Sequence, residues 1–133
     1  MNRDTSGLRE HLGIRYAGMD NGAVVLELDI AAEHLNVSDA LHGGAIATLV
    51  DIACALAART PPGKEAQPVP ADALRVATVS LALHFTRGVR EGRVRAFGRR
   101  LSAGRRMVFA NADVFDAEGR LVANGSGSYA IVG

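Results

Sequence analysis

The chain is poor in residues that staple, stack or anchor. It has one cysteine, Cys54, so no disulfide can close within it and no thiolate cluster can hold a metal. It has no tryptophan, and aromatic residues make up 5%. That is too few for the stacking surface of a single-strand nucleic-acid binder, and no nucleic-acid partner is expected. All four prolines fall in one stretch, TPPGKEAQPVPAD at 60–72. The longest apolar run, Ala45 to Ala58, is broken by Asp51 and is too short to cross a bilayer. The segment from Met1 to Gly13 is polar and mixed in charge, without the apolar centre of an export signal. These absences predict a soluble, cytoplasmic protein with no membrane partner. His11 and His34 form no ligand spacing with the other histidines, so no metal site is expected.

What is present fits one domain spanning residues 1–133. The chain has 133 residues, 48% of them apolar, enough for a core. Its net charge is only +1, but the distribution is uneven. Between Arg87 and Arg106 stand eight arginines (87, 90, 93, 95, 99, 100, 105 and 106) and a single acid, Glu91. Such a field suits a polyanionic ligand. A solvated strand face has the same composition, and the charge run alone does not separate the two.

Periodicity supplies the elements. Residues 5–13 predict a short helix, capped by Thr5 or Ser6 and stopped by Gly13. Val24, Leu26, Leu28 and Ile30 alternate with Val25, Glu27 and Asp29, a half-buried strand over 23–31. Residues 32–42 read as a loop. Residues 43–59, GGAIATLVDIACALAAR, are apolar on all sides and predict a buried central helix. The proline-rich stretch is a long connection. Strands are expected at 76–86, 92–101, 106–116 and 120–132, separated by turns at Arg87-Gly88, Ala103-Gly104 and Glu118-Gly119. Hairpin spacing implies antiparallel neighbours. The expected fold is α+β, a curved antiparallel sheet wrapped around one long helix.

Candidate chemistry sits in LHGGAIATLVD, residues 41–51. Gly43 and Gly44 stand where the loop enters the helix. Backbone N–H groups there lack intrahelical partners and face outward at the positive end of the helix dipole. Glycine lets a ligand reach that backbone, and a carbonyl gaining negative charge would be stabilised there. A tight turn against the sheet needs the same glycines. Asp51 interrupts an apolar helix, and a buried carboxylate is costly unless it is paired. A hydrogen-bonding network and a catalytic cleft both account for it. Gly43 and Asp51 are eight residues apart, about 12 Å along a helix axis. A reacting carbonyl must lie within roughly 3 Å of both the oxyanion donor and the attacking group. One straight helix cannot serve both. Two antiparallel helices related by a two-fold axis can, so an obligate dimer with two shared sites is expected.

The segment resembles the helix entry of the phenylacetate-pathway thioesterases of the hotdog superfamily. The motif is His-Gly-Gly, six variable residues, then an acid: here His42, Gly43, Gly44 and Asp51. The likeness extends upstream through HLNVSDALHGG, with Asn36 six residues before His42, and downstream through VATVSLALHFTRG. The resemblance implies a hotdog fold and hydrolysis of an acyl-CoA thioester without a cofactor. It implies that Asp51 is nucleophile or general base and that the Gly43 N–H polarises the carbonyl. Asn36 would orient the thioester or the water. His42 would hold the loop and support the carbonyl contact. Thr78 would position the attacking water. For the substrate, Gly44 lies at the helix entry, and Arg87, Arg90, Arg105 and Arg106 lie near strand ends where CoA phosphates would be met. A homodimer with shared active sites, assembled into a homotetramer, is the expected state. The acyl group is aromatic, phenylacetyl-like, or of medium chain length. One departure is Gly88, where related sequences often place a proline.

Two rival readings keep the fold and change the activity. A hotdog enoyl-CoA hydratase needs an Asp/His pair on a longer loop-helix segment. A non-catalytic acyl-CoA-binding protein needs an effector segment, and no residues are left for one.

Overall fold

The computed structural model describes residues 7–64 and 75–132. Its elements are α1 (Gly7–Leu12), β1 (Arg15–Asp20), β2 (Ala23–Asp29), a 3-10 turn (Ala32–His34), α2 (Gly43–Ala58), β3 (Arg75–Phe85), β4 (Arg93–Ala103), β5 (Met107–Phe115) and β6 (Leu121–Val132). The six strands form one antiparallel sheet in the order β1-β2-β4-β5-β6-β3, with α2 packed on one face. This is the hotdog architecture. The expected cap of α1, Thr5 or Ser6, and most of the proline-rich connection lie outside the described residues.

Two features differ from the expectation. Arg15–Asp20 forms β1, which composition does not announce because most of it is exposed. It is joined to β2 through Asn21-Gly22, both at positive φ (48° and 82°), the conformation of a tight two-residue hairpin. The second difference is the place of β3. Hairpin spacing put it beside β4, but it pairs with β6 at the far edge of the sheet. The connection after β3 is too long for a tight hairpin. It crosses the end of the sheet, tied there by Leu41 N–H to Val89 O (2.7 Å) and Ile30 N–H to Gly92 O (2.9 Å).

The core lies between α2 and the sheet, where Leu49, Val50, Ala53 and Cys54 meet Leu26, Val94, Val114, Val122 and Tyr129. Glycines set how closely the helix approaches. A Cβ on Gly98 of β4 would lie 2.5 Å from the Ala53 carbonyl oxygen, and one on Gly125 of β6 would lie 2.7 Å from Val50 Cγ1. The helix is not buried all round, as its composition had implied. Thr48, Asp51 and Ala55, one stripe at helical spacing, are half-buried and Gly44 is exposed. The edge strand β3 is likewise open, with Val79 60% and Phe85 54% exposed.

Gly98→Ala is therefore expected to push α2 off the sheet and destabilise the fold by about 1–3 kcal/mol. Gly88→Ala, where an added Cβ meets nothing within 4 Å, is the control and should stay near wild type. Urea denaturation of the three proteins checks this.

Candidate active site

The site begins at the first turn of α2. His42 caps the helix with extended backbone (φ −62°, ψ 136°), and its Nδ1 accepts from the Gly44 N–H at 2.7 Å. Because Nδ1 accepts, the neutral imidazole carries its proton on Nε2. The N–H groups of Ala45 and Ile46 both reach the His42 carbonyl, at 3.0 and 3.2 Å. The Gly43 N–H alone in this turn has no partner among the described residues. It remains available at the positive end of the helix. A side chain at Gly43 would meet only the Phe85 ring, at an ordinary 3.6 Å.

Asn36 shapes the loop that precedes this turn. Its Oδ1 accepts from the Ser38 N–H (2.9 Å) and the Ala40 N–H (3.1 Å), and its own N–H donates to Ala40 O (2.7 Å). Asp39 takes the left-handed φ of 60° that closes the turn. The side-chain oxygen of Asn36 is thus committed to the loop, which leaves its NH2 group for any ligand.

Asp51 lies two turns further along α2 and is half-buried. Its Oδ1 accepts from Thr78 Oγ1 at 2.9 Å and from Tyr129 Oη at 3.0 Å. No cation pairs with it among the described residues. Thr78 and Tyr129 are direct cross-strand neighbours on β3 and β6, beside a register shift between Thr78 and Ser80. The structure therefore brings Asp51 and Thr78 together across the proline-rich connection.

Sequence reasoning missed Tyr129. Its signal was the alternation of Gly125, Gly127 and Tyr129 on one face of β6, small residues beside one large one. Tyr129 is fully buried, and a Cβ on Gly127 would lie 2.8 Å from its ring and hydroxyl. Burial, then the neighbouring Cys54 and Asp51, hold the Tyr129 hydroxyl protonated well above its ordinary range. Burial likewise pushes the Cys54 thiol up to about 12, so it is no nucleophile near neutral pH.

The four candidate phosphate-binding arginines do not converge within one chain. Arg87 and Arg90 follow β3 at the Gly43 end, where Arg90 Nη1 donates to Ser38 O (2.8 Å) and braces the Asn36 loop. Arg105 and Arg106 lie in the β4–β5 turn, past the point where Arg100 Nη2 donates to Ala58 O at the C-terminus of α2. Other arginines of the stretch have local partners. Arg93 and Arg95 pair with Asp29 (2.7 Å) and Glu27 (2.8 Å), and Arg99 donates to Asn21 O (2.9 Å). A surface cavity of about 270 Å³ opens beside His42, lined in part by Leu8, Leu12, Leu35, Ala45 and Thr48.

The chain belongs to the thioesterase superfamily, whose pattern it matches over residues 39–123. That match covers Asp51, the helix entry and Thr78. A Saccharolobus solfataricus protein whose name describes an esterase is 27% identical over 121 residues, 91% of this chain and 80% of that protein. Among solved structures, a conserved protein of Pseudomonas aeruginosa superposes with a TM-score of 0.82 at 28% identity, covering 96% of this chain and 95% of that one. The phenylacetic acid degradation protein PaaI of Thermus thermophilus, solved as a point mutant, does so with a TM-score of 0.78 at 26% identity, covering 96% of this chain and all of that one (100%). No helix among the described residues is long and apolar enough to cross a membrane.

Removing the His42 cap should be measurable apart from any activity. His42→Ala is expected to lose about 1 kcal/mol of folding stability, and His42→Asn to recover most of it. Thermal melts followed by circular dichroism read both.

Proposed function

We propose that this chain hydrolyses acyl-CoA thioesters in the cytoplasm, with Asp51 as the catalytic carboxylate. The observation that carries the reading is Asp51 itself. Among the described residues, it is a half-buried carboxylate held by two hydroxyl donors and no cation, on the helix whose first turn leaves the Gly43 N–H unpartnered. Membership of the thioesterase superfamily supports the reaction class.

The chemistry follows from those groups. Asp51 either takes a proton from water, whose oxygen then bonds to the thioester carbon, or attacks that carbon itself to form an anhydride that water opens. The carbonyl oxygen gains charge and is stabilised by the Gly43 N–H, a donor worth about 3 kcal/mol in the transition state. When the carbon–sulfur bond breaks, its electron pair leaves with sulfur as the CoA thiolate. His42 Nε2–H and the Asn36 NH2 are further donors at the carbonyl end. Thr78 keeps the Asp51 carboxylate in place. No cofactor is needed for these steps.

Gly43 and Asp51 lie about 12 Å apart along one helix, so the site requires two chains. The half-buried stripe of α2 and the open edge of β3 are the surfaces a second copy would cover. A two-fold arrangement with antiparallel helices sets the Gly43 of one chain against the Asp51 of the other. It also carries the Arg105–Arg106 turn of the second copy toward Arg87 and Arg90 of the first. CoA phosphates would then lie between arginines of both chains, with Gly44 at the thioester end. Pairing of two such dimers gives the tetramer. The small residues Ala47, Thr48 and Ala55 leave room for an aromatic, phenylacetyl-like acyl group or a medium-chain one.

A thiol-release assay over aromatic and aliphatic acyl-CoAs tests the reading. Wild type is expected to turn over one class. Asp51→Ala, folded and of unchanged oligomeric state, is expected to lose about a hundredfold or more, roughly 2.7 kcal/mol of transition-state stabilisation. Equal activity in the two proteins would make Asp51 structural. Inertness of both would return the hydratase and acyl-CoA-binding readings to the front.

A further inference from the structure

We infer that Tyr129 is a positioning residue for Asp51, and that by holding Oδ1 together with Thr78 it leaves Oδ2 as the reacting oxygen. The inference rests on the catalytic reading of Asp51 and adds which oxygen works and what aims it.

Both hydrogen bonds to the carboxylate converge on Oδ1, from Thr78 Oγ1 at 2.9 Å and Tyr129 Oη at 3.0 Å, and neither reaches Oδ2. The two donors are a cross-strand pair, so they move with the sheet and not with the helix. A carboxylate on a half-buried helix face is otherwise free to turn about its terminal torsion, which is broad and two-fold. Two donors from a second element remove that freedom. They also lower the basicity of Oδ1, so the electron-rich oxygen is Oδ2.

Tyr129 is the less adaptable of the two donors. Its ring is fully buried and seated against the bare backbone of Gly127. Its hydroxyl also meets the Cys54 thiol and lies 3.3 Å from the Asp51 carbonyl oxygen. A tyrosine that only filled volume would not need its hydroxyl aimed at the one acid of the helix, and phenylalanine would serve. Among the described residues, Asp51 meets the Tyr129 hydroxyl from β6 and the Thr78 hydroxyl from β3, with the Cys54 thiol beside it on α2.

The test measures kcat and KM for Tyr129→Phe and Gly127→Ala, with Asp51→Asn as the reference. Tyr129→Phe removes only the hydroxyl. Gly127→Ala keeps the hydroxyl and displaces the ring, so it reports on geometry even if the first variant folds poorly. Each variant should lose roughly tenfold or more in kcat with KM little changed. Unchanged kcat in both, or a loss that falls on KM and not on kcat, with Asp51→Asn inactive, would overturn the positioning role alone. Full activity in Asp51→Asn would overturn the catalytic reading and the inference with it.

Discussion

A carboxylate on a helix that packs face-down on a sheet must be neutralised, paired with a cation, or surrounded by donors, because burial without compensation costs several kcal/mol. This fold takes the third course, and much of its local structure follows from it. Tyr129 can reach Asp51 only because Gly127 leaves its ring room. Thr78 reaches it from the paired strand, beside the irregularity in β3. α2 lies close enough to both strands because Gly98 and Gly125 carry no side chain beneath it. A cation at this place would have made Asp51 a structural ion pair. Two neutral donors hold the carboxylate and leave one oxygen uncommitted.

The helix that carries Asp51 also carries its complement at a distance. The Gly43 N–H points out of the first turn, and α2 is too straight and too short to fold back on itself. Rigidity within one chain thus becomes a reason for two. The same geometry bears on the arginines. Those inside the sheet are paired locally, with Glu27, Asp29, Asn21 O and Ala58 O, so the positive run is much less of a free field than its composition suggests. The strand-end arginines sit at opposite ends of α2, and the proposed two-fold dimer would bring the two ends together.

Much of this was legible in the sequence, and what was not has physical reasons. β2, α2 and the last four strands follow from period-2 and all-apolar patterns that burial enforces. Asp51 stands out because everything around it is apolar. β1 was invisible because an exposed edge strand carries no alternation of burial. The place of β3 was misread because turn residues show where a chain bends and not which strand it next pairs with. Tyr129 looks like any large residue of a core strand, and its role appears only when β6 is laid under α2. Asn36 was marked only through the resemblance of its loop to the family's. Its commitment to the Ser38 and Ala40 amides belongs to the turn itself.

The shared site is tested most directly by mixing two single variants that are each inactive. Gly43→Pro removes the N–H at a first-turn position that suits proline, after a residue whose ψ of 136° allows it, and with only an ordinary contact to Phe85. Asp51→Ala removes the carboxylate. In a mixed dimer with sites built across the two-fold axis, one site carries both defects and the other carries none. Unfolding and refolding the two variants together should therefore recover about a quarter of wild-type activity, as random pairing of a two-fold dimer requires. A refolded mixture no more active than either variant alone would show that Gly43 and Asp51 do not act across a shared interface.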